Sequence, residues 1–171
     1  EYVDALLNCN FKKEQSTFNS KEYEFILFDS LNDMVEQVKF RDQESGLSRL
    51  IGGYSWKWIS KKNKSAFDIQ IGDVQLQWNR TNIDWINSEN AVDEVGCIHT
   101  TQGYDLNYSG IIFGNEISYD PEKEEIIIKE ESYFDKYGKQ SIKDPDELKA
   151  FILNIYKTIM MRGIKGTYIY V

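Results

Sequence analysis

The sequence lacks the features that would place it in a membrane, in a secretory pathway or among metal enzymes. It has no apolar run of about 18 residues, the length that a membrane-spanning helix requires, and no basic and then apolar signal segment at its start. Its two cysteines, Cys9 and Cys97, lie far apart and without metal-ligand spacing, so we expect both to be small buried apolar residues of a cytoplasmic protein. His99 is the only histidine, which argues against a zinc site or a hydrolytic triad.

Positive charge is also scarce. The chain carries 20 Lys and Arg against 28 Asp and Glu, which gives a formal net charge of −8. A domain that binds nucleic acid by itself usually has a basic face, because neutralised phosphates supply most of the non-specific affinity. The composition therefore argues against a self-sufficient nucleic-acid-binding domain, but it is compatible with a binding site shared with a partner domain.

Apolar residues, by contrast, are plentiful enough for one well-packed domain over residues 1–171. The hydrophobic fraction is 41% and the aromatic fraction 14%. The chain begins inside a helix-like segment, 1–9, and ends inside a strand-like run, 167–171. These two ends predict a piece of a longer protein.

Strand-like and helix-like segments alternate along the chain. The predicted order is a helix at 1–9, a loop at 10–21, a strand at 24–28, a helix from 31 to about 40, a strand at 47–54, a hairpin at 67–78, a short helix or turn within 79–90, strands within 95–98 and 111–113, a hairpin at 117–129, a charged loop or short helix at 130–143, a helix from 145 and a last strand at 167–171. Ser30 and Asp144 are predicted helix caps, and Gly163 is predicted to end the last helix in a left-handed conformation. The β-α-β start favours an α/β fold with a mostly parallel sheet, and the hairpin at 117–129 is an excursion from it.

The most informative stretch is 95–114. An apolar run is followed by the polar residues His99, Thr100, Thr101 and Gln102, then by Gly103, and a second apolar run lies between Gly110 and Gly114. Polar residues at the end of a strand on a rigid scaffold are common ligand contacts. An ordinary connecting loop, with a buried structural His99, is the alternative interpretation.

A second candidate is the basic and aromatic segment 56–64, which interleaves two tryptophans with four lysines. Such residues can stack on bases and hold phosphates. The alternative is a solvated loop with two anchored indoles. Arg49, Tyr54 and Trp56 lie in or just after the preceding predicted strand, 47–54. Core anchoring is the simpler role for the two aromatic residues.

The run His-Thr-Thr-Gln-Gly-Tyr-Asp-Leu-Asn-Tyr at 99–108, followed by an apolar strand, resembles motif V of superfamily 1 helicases. Most of the chain, including 46–58 and 156–168, is also similar to a bacterial family of P-loop NTPases grouped with the Schlafen-type DNA/RNA helicase domains. The resemblance implies a RecA-like fold. It further implies that this chain is the second, C-terminal RecA-like domain of a parent whose Walker A domain lies upstream.

Residue roles follow from the same resemblance. It implies that His99, Thr100 and Thr101 face the nucleic-acid backbone, that Gln102 and Gly103 approach the nucleotide cleft, and that Asp105 takes the position of a ribose-reading glutamate with a side chain one methylene shorter. Arg162 matches the arginine that reaches the γ-phosphate, and Lys165 matches a later basic position. Met161 and Gly163 replace the threonine and alanine of that motif. The alternative for Arg162 is a cation that complements the dipole at the end of a helix.

A Gly-x-x-x-x-Gly-Lys-Ser/Thr loop is absent from this sequence, so the isolated chain is expected to be a poor ATPase. By resemblance, ATP and Mg²⁺ bind in the parent protein, between this domain and the Walker A domain. The parent is expected to remodel or translocate on DNA or RNA, and no membrane is expected among its partners. Two alternatives stay open. One is a regulatory or defence-type NTPase that acts on protein partners, which the acidic charge favours; the other is an interaction module with no nucleotide role.

Overall fold

A computed structural model of the chain describes residues 1–11, 17–81 and 83–171, so the predicted loop at 10–21 lies partly outside the described residues. Its helices are α1 (Tyr2–Leu7), α2 (Leu31–Ser45), α3 (Lys136–Ser141) and α4 (Pro145–Met160). Its strands are β1 (Glu24–Phe28), β2 (Ser48–Gly52), β3 (Ile69–Ile71), β4 (Val74–Trp78), β5 (Glu94–Gly96), β6 (Leu106–Ile112), β7 (Ile117–Asp120), β8 (Glu125–Ile128) and β9 (Gly163–Tyr170). Short 3-10 turns cover Trp85–Asn87, Ala91–Asp93 and Glu130–Ser132.

The strands form a seven-stranded sheet in the order β1-β9-β6-β2-β5-β4-β3 and a separate two-stranded hairpin, β7-β8. Neighbouring strands of the large sheet are parallel except for the β3-β4 hairpin at one edge. The α/β prediction, the mostly parallel sheet and both hairpins are therefore confirmed. Strands β1 and β2 flank α2 in sequence, but β9 and β6 lie between them in the sheet.

The core has two layers, one on each face of the sheet. Leu50 packs into a cluster that includes Met34 and Val38 of α2, while the next residue, Ile51, packs into a cluster that includes Ile152 and Tyr156 of α4. Successive residues of a strand point to opposite faces, so a strand that is buried throughout needs a covering layer on each side. The burial of every residue of β2 follows from this arrangement.

Two predicted boundaries move for identifiable reasons. Helix α2 continues to Ser45 and is followed by Gly46 at φ 68° and Leu47 at φ 48°, so β2 starts only at Ser48. The prediction for Gly163 is wrong, because α4 ends at Met160 and Gly163 is the first residue of β9. A Cβ at Gly163 would lie 2.1 Å from the carbonyl oxygen of Gly166, so glycine is required there by close backbone approach and not by a left-handed cap.

Arg49 is a buried charge with a structural role. Its Nη1 donates to Asp42 Oδ1 at 2.7 Å, and its Nη2 and Nε donate to the carbonyl oxygen of Ile86 at 2.6 and 3.2 Å. The guanidinium thus joins β2 to α2 and to the turn at Trp85–Asn87. A planar fork of donors can serve a carboxylate and a carbonyl at once, which a single ammonium group cannot do.

We expect Arg49→Lys to lower the free energy of unfolding by about 2 kcal/mol, because a buried acceptor loses its donors. Urea denaturation measures the change. Arg80→Lys is the matched control, since the Arg80 guanidinium donates to Gln77 on the exposed surface. Equal stability of the Arg49 and Arg80 variants would contradict the structural role.

Glu116 is a second buried charge, at the end of the sheet where β2 and β6 finish. Its side chain is fully buried, and its Oε1 accepts a hydrogen bond from the Tyr156 hydroxyl at 2.7 Å. Among the described residues, neither its Oε2 nor the Ser55 hydroxyl has a hydrogen-bond partner. Burial raises the pKa of Glu116 to about 7, and this effect outweighs the opposing one of the Tyr156 hydroxyl.

The raised pKa makes stability depend on pH. The unfolded carboxyl ionises near 4.5 and the folded one near 7, so stability is fully present below pH 4.5 and falls by about 3 kcal/mol as the pH rises to 7. We expect Glu116→Gln, which cannot ionise, to remove this fall and to exceed the wild type in stability at pH 8. Thermal unfolding between pH 4.5 and 8 measures it, with the exposed Glu130→Gln as control. Parallel pH profiles for Glu116→Gln and the wild type would contradict the assignment.

Candidate functional site at the amino edge of the sheet

The connection from β5 to β6, residues 97–105, folds into successive turns held by its own threonines. Thr100 Oγ1 accepts from the Cys97 N–H at 2.8 Å, and Thr101 Oγ1 lies 3.2 Å from the carbonyl oxygens of both Cys97 and Ile98. Gly103 has φ 84°, a conformation that glycine adopts at no steric cost. The polar patch seen in the sequence is therefore partly a scaffold for the turn.

Arg162 follows α4 and immediately precedes β9. Its carbonyl oxygen accepts from the Leu106 N–H at 2.8 Å, which places it at the amino end of β6 as well. Its Nη1 lies 3.5 Å from the carbonyl oxygen of Tyr104, and its Nε has no hydrogen-bond partner among the described residues. The side chain is half-buried, and its guanidinium lies against the turn that carries Gln102 and Asp105.

The main chain of Arg162 stays at the end of α4, where its N–H donates to the carbonyl oxygen of Ile159 at 3.3 Å, while its side chain contacts the turn before β6. The last carbonyl of α4, that of Met160, accepts from Thr167 Oγ1 at 2.7 Å, whereas the Arg162 guanidinium contacts Tyr104. The guanidinium therefore contacts the turn before β6 and not the last carbonyl of α4. The contact to Tyr104 is a single long one, and the buried Nε is closed to solvent and has no hydrogen-bond partner among the described residues.

A β-bulge shapes the start of β9. Leu106 pairs with Gly163 but Tyr108 pairs with Gly166, so three steps of β9 oppose two steps of β6. The extra residue turns Ile164 and Lys165 outward, and Ile164 is 62% exposed. Bulges of this kind often re-aim side chains beside binding sites. Here the bulge presents a lysine next to Arg162.

The sequence-predicted site residues divide into two groups. Asp105, Arg162 and Lys165 lie at the amino ends of β6 and β9, and Gln102 and Gly103 lie in the turn that leads to β6; all five are at least partly exposed. His99 is exposed too, but it lies at the carboxyl edge, where its ring is 6.1 Å from that of Tyr54. Thr100 is half-buried and Thr101 is fully buried, and both hydroxyls are engaged within the turn. The structure thus leaves His99 as the accessible side chain of the three residues assigned to nucleic acid.

Anionic ligands suit the amino edge better than metal ions do. Within residues 1–11, 17–81 and 83–171, no cluster of three or more His, Cys, Asp or Glu side chains is arranged to hold a metal ion. Arg162 and Lys165 supply positive charge, and Asp84 is occupied by the Tyr104 hydroxyl at 3.3 Å. The arrangement can neutralise negative charge on a bound group.

Three structural features were not predicted from the sequence; two lie at the amino edge and one, Glu116, lies at the carboxyl edge. Tyr104 positions Arg162 through its main-chain carbonyl, an interaction that depends on no particular side chain. The paired glycines at 163 and 166, in a run that otherwise reads as a strand, are a recognisable signal for a bulge. Glu116 carries no signal in the sequence, since an isolated glutamate before a hairpin is ordinarily exposed.

No helix among the described residues is both long enough and apolar enough to cross a membrane. No solved structure matches the chain. Among curated proteins, the chain is similar to "Uncharacterized protein YPL245W" of Saccharomyces cerevisiae, with 30% identity over 159 residues. The match covers 88% of this chain and 35% of the yeast protein, so the chain spans about a third of that relative's length. The family model described as "Schlafen group 3, DNA/RNA helicase domain" matches residues 1–171, and the chain belongs to that family.

Proposed function

We propose that this chain is the second RecA-like domain of an ATP-dependent DNA or RNA helicase, or of a nucleic-acid-stimulated NTPase, and that Arg162 is its arginine finger. The observation that carries the proposal is the Arg162 guanidinium, half-buried at the amino edge and held against the turn that bears Gln102 and Asp105. The mostly parallel sheet with helices on both faces supports a RecA-like fold. The family description supports a helicase-like function.

The chemistry assigned to Arg162 is charge neutralisation. In phosphoryl transfer from ATP to water, negative charge spreads over the oxygens of the transferred γ-phosphoryl group and the leaving oxygen of ADP. A guanidinium placed at those oxygens stabilises the transition state more than the ground state. One long contact, 3.5 Å from Nη1 to the carbonyl oxygen of Tyr104, holds the guanidinium against the turn before β6.

ATP and Mg²⁺ would be held mainly by a Walker A domain, since this sequence has no phosphate-binding glycine loop. This chain would add Gln102 and Gly103 at the base and ribose, Asp105 at the ribose hydroxyls and Lys165 at the phosphates. All four residues are exposed. The shorter Asp105 would reach the ribose only if the two domains close tightly.

Exposed apolar side chains around Arg162 support the proposal that a second domain covers this surface. Met161 and Ile164 are each 62% exposed, and Tyr104 is 41% exposed. Apolar residues that flank an arginine and a lysine fit a domain interface, where aromatic and aliphatic groups seal the site from water. The Walker A domain is the partner that this proposal assigns to the surface.

The principal test is Arg162→Ala in the full-length protein that contains this chain. We expect ATP turnover to fall at least about a thousandfold, while ATP binding stays within about threefold, because the arginine acts on charge that develops in the transition state. Steady-state hydrolysis and equilibrium nucleotide binding measure the two effects.

Arg80→Ala is the control for Arg162→Ala, since it removes an exposed arginine that contacts only Gln77. Arg162→Lys should restore little activity, because an ammonium group cannot match the fork of a guanidinium. Turnover unchanged in Arg162→Ala would remove the arginine-finger assignment.

The alternative function, a regulatory NTPase acting on protein partners, is favoured by one observation, the net charge of −8. The two functions differ in what stimulates hydrolysis. Single-stranded DNA or RNA should raise the ATPase rate of a helicase or nucleic-acid-stimulated NTPase and leave that of a protein-directed switch unchanged. Strand-separation assays on the same preparation complete the comparison.

A further inference from the structure

The segment 55–65, which we name the lysine loop, is the strongest exception to the acidic character of the chain. It leaves the carboxyl end of β2 and carries Lys57, Lys61, Lys62 and Lys64, all exposed. Between Glu44 and Asp68 the sequence contains no acidic residue, although the chain as a whole carries a net charge of −8. Positive charge is therefore concentrated where the sheet ends.

Among the described residues, these lysines have no acidic partner. No carboxylate of residues 1–11, 17–81 or 83–171 lies within ion-pair distance of any of the four ammonium groups. Lysines elsewhere, such as Lys39 and Lys149, do pair with carboxylates at 2.9 Å. The lysine loop thus presents uncompensated charge in a chain that has ample acid to pair with it.

Hydrogen bonds to the side chains of Asp68 and Gln77 hold the lysine loop in place. Asp68 is buried and its two oxygens accept from the Ser60 N–H and the Trp78 N–H, each at 2.8 Å. Gln77 Nε2 donates to the carbonyl oxygens of Lys64 at 2.7 Å and Ala66 at 3.0 Å. These bonds tie both arms of the loop to β4, so the lysines project from a defined backbone.

A row of aromatic rings lies beside the lysine loop. Edge-to-face contacts connect His99 to Tyr54 at 6.1 Å, Tyr54 to Trp78 at 5.2 Å, and Trp78 to Trp58 at 6.0 Å. Lys61 Nζ lies 4.8 Å from the centroid of the Trp58 ring. The exposed His99 at one end and the half-buried Trp58 at the other give this row two accessible rings beside the positive charge.

We infer that the lysine loop is a binding site for single-stranded nucleic acid, with phosphates on its lysines and unstacked bases against Trp58 and His99. Cations interleaved with half-exposed rings match a strand that offers an anionic backbone and π-faces together. An acidic peptide would use the lysines but leave the rings without partners, and a duplex would keep its bases stacked. The inference rests on the proposed helicase-like function and adds a location for the strand.

The location is distinct from that of Arg162. The lysine loop follows the carboxyl end of β2, whereas Arg162 precedes the amino end of β9, and β2, β6 and β9 run parallel. A nucleic-acid strand bound to the lysine loop therefore lies at the opposite edge of the sheet from the proposed nucleotide site. Both ligands can be bound at the same time.

The test measures binding of a fluorescently labelled oligothymidylate to the full-length protein without nucleotide, over a series of salt concentrations. The variant Lys57→Gln/Lys61→Gln/Lys62→Gln/Lys64→Gln should bind at least about tenfold more weakly. The slope of log affinity against log salt should drop by about 3, since each neutralised phosphate of a single strand contributes about 0.7. The control variant Lys21→Gln/Lys123→Gln/Lys136→Gln/Lys143→Gln changes the net charge equally at other exposed lysines and should bind within about twofold of the wild type.

Two competitors separate the possible partners. Polyglutamate of matched charge and a DNA duplex of the same length should each compete at least about tenfold less well than unlabelled oligothymidylate. Equal competition by polyglutamate would overturn the assignment to nucleic acid, and equal competition by the duplex would overturn the single-stranded form. Wild-type affinity and salt slope in the lysine-loop variant would overturn the site itself.

Failure here can be told apart from failure of the proposed function. Arg162→Ala should leave oligothymidylate affinity unchanged, because Arg162 lies at the opposite edge. The lysine-loop variant should keep the basal ATPase rate and lose only its stimulation by the oligonucleotide. ATP hydrolysis that depends on Arg162, together with an oligonucleotide affinity that is the same in the lysine-loop variant and the wild type, would overturn this inference alone.

Discussion

Parallel pairing of β6 with β9 in the middle of the sheet brings the parts of the candidate site together. The two strands are in register from Leu106 and Gly163 to Ile112 and Tyr170, apart from the bulge at 163–166. Because the strands are parallel, the segments that precede them meet at one edge. The turn ending at Asp105 and the helix end at Arg162 are therefore neighbours, although they lie 57 positions apart in sequence. Every role assigned to Arg162 depends on that pairing.

The opposite edge has a different character. There the carboxyl ends of β2, β4, β5 and β6 carry Tyr54, Trp78, His99 and the buried Glu116, and the lysine loop leaves from β2. Open α/β sheets bind ligands at the carboxyl ends of their strands. Burial raises the pKa of Tyr54 above its ordinary value.

Sequence reasoning succeeded where the signal is local. The helix caps Ser30 and Asp144 accept backbone N–H bonds as predicted, and the two hairpins form at the predicted turns. It failed where the pairing of strands or the packing of the core decides the position of a residue. Gly163 was assigned to a helix end, but the space it leaves is filled by the carbonyl of Gly166 across the bulge. Tyr133, predicted to lie in a charged surface loop or short helix, is 1% exposed in the core.

Hydrophobic period, capping residues and turn residues by themselves determined the α/β class, the hairpins and the long last helix, because these depend on contacts within a few residues of the chain. The tertiary structure alone decided the order of the strands and hence which loops share an edge. It placed Arg162 on the carbonyl of Tyr104, engaged Thr101 inside its own turn and buried Glu116 against Tyr156. Those outcomes depend on pairing between strands far apart in sequence, and no local pattern encodes which strands will be neighbours.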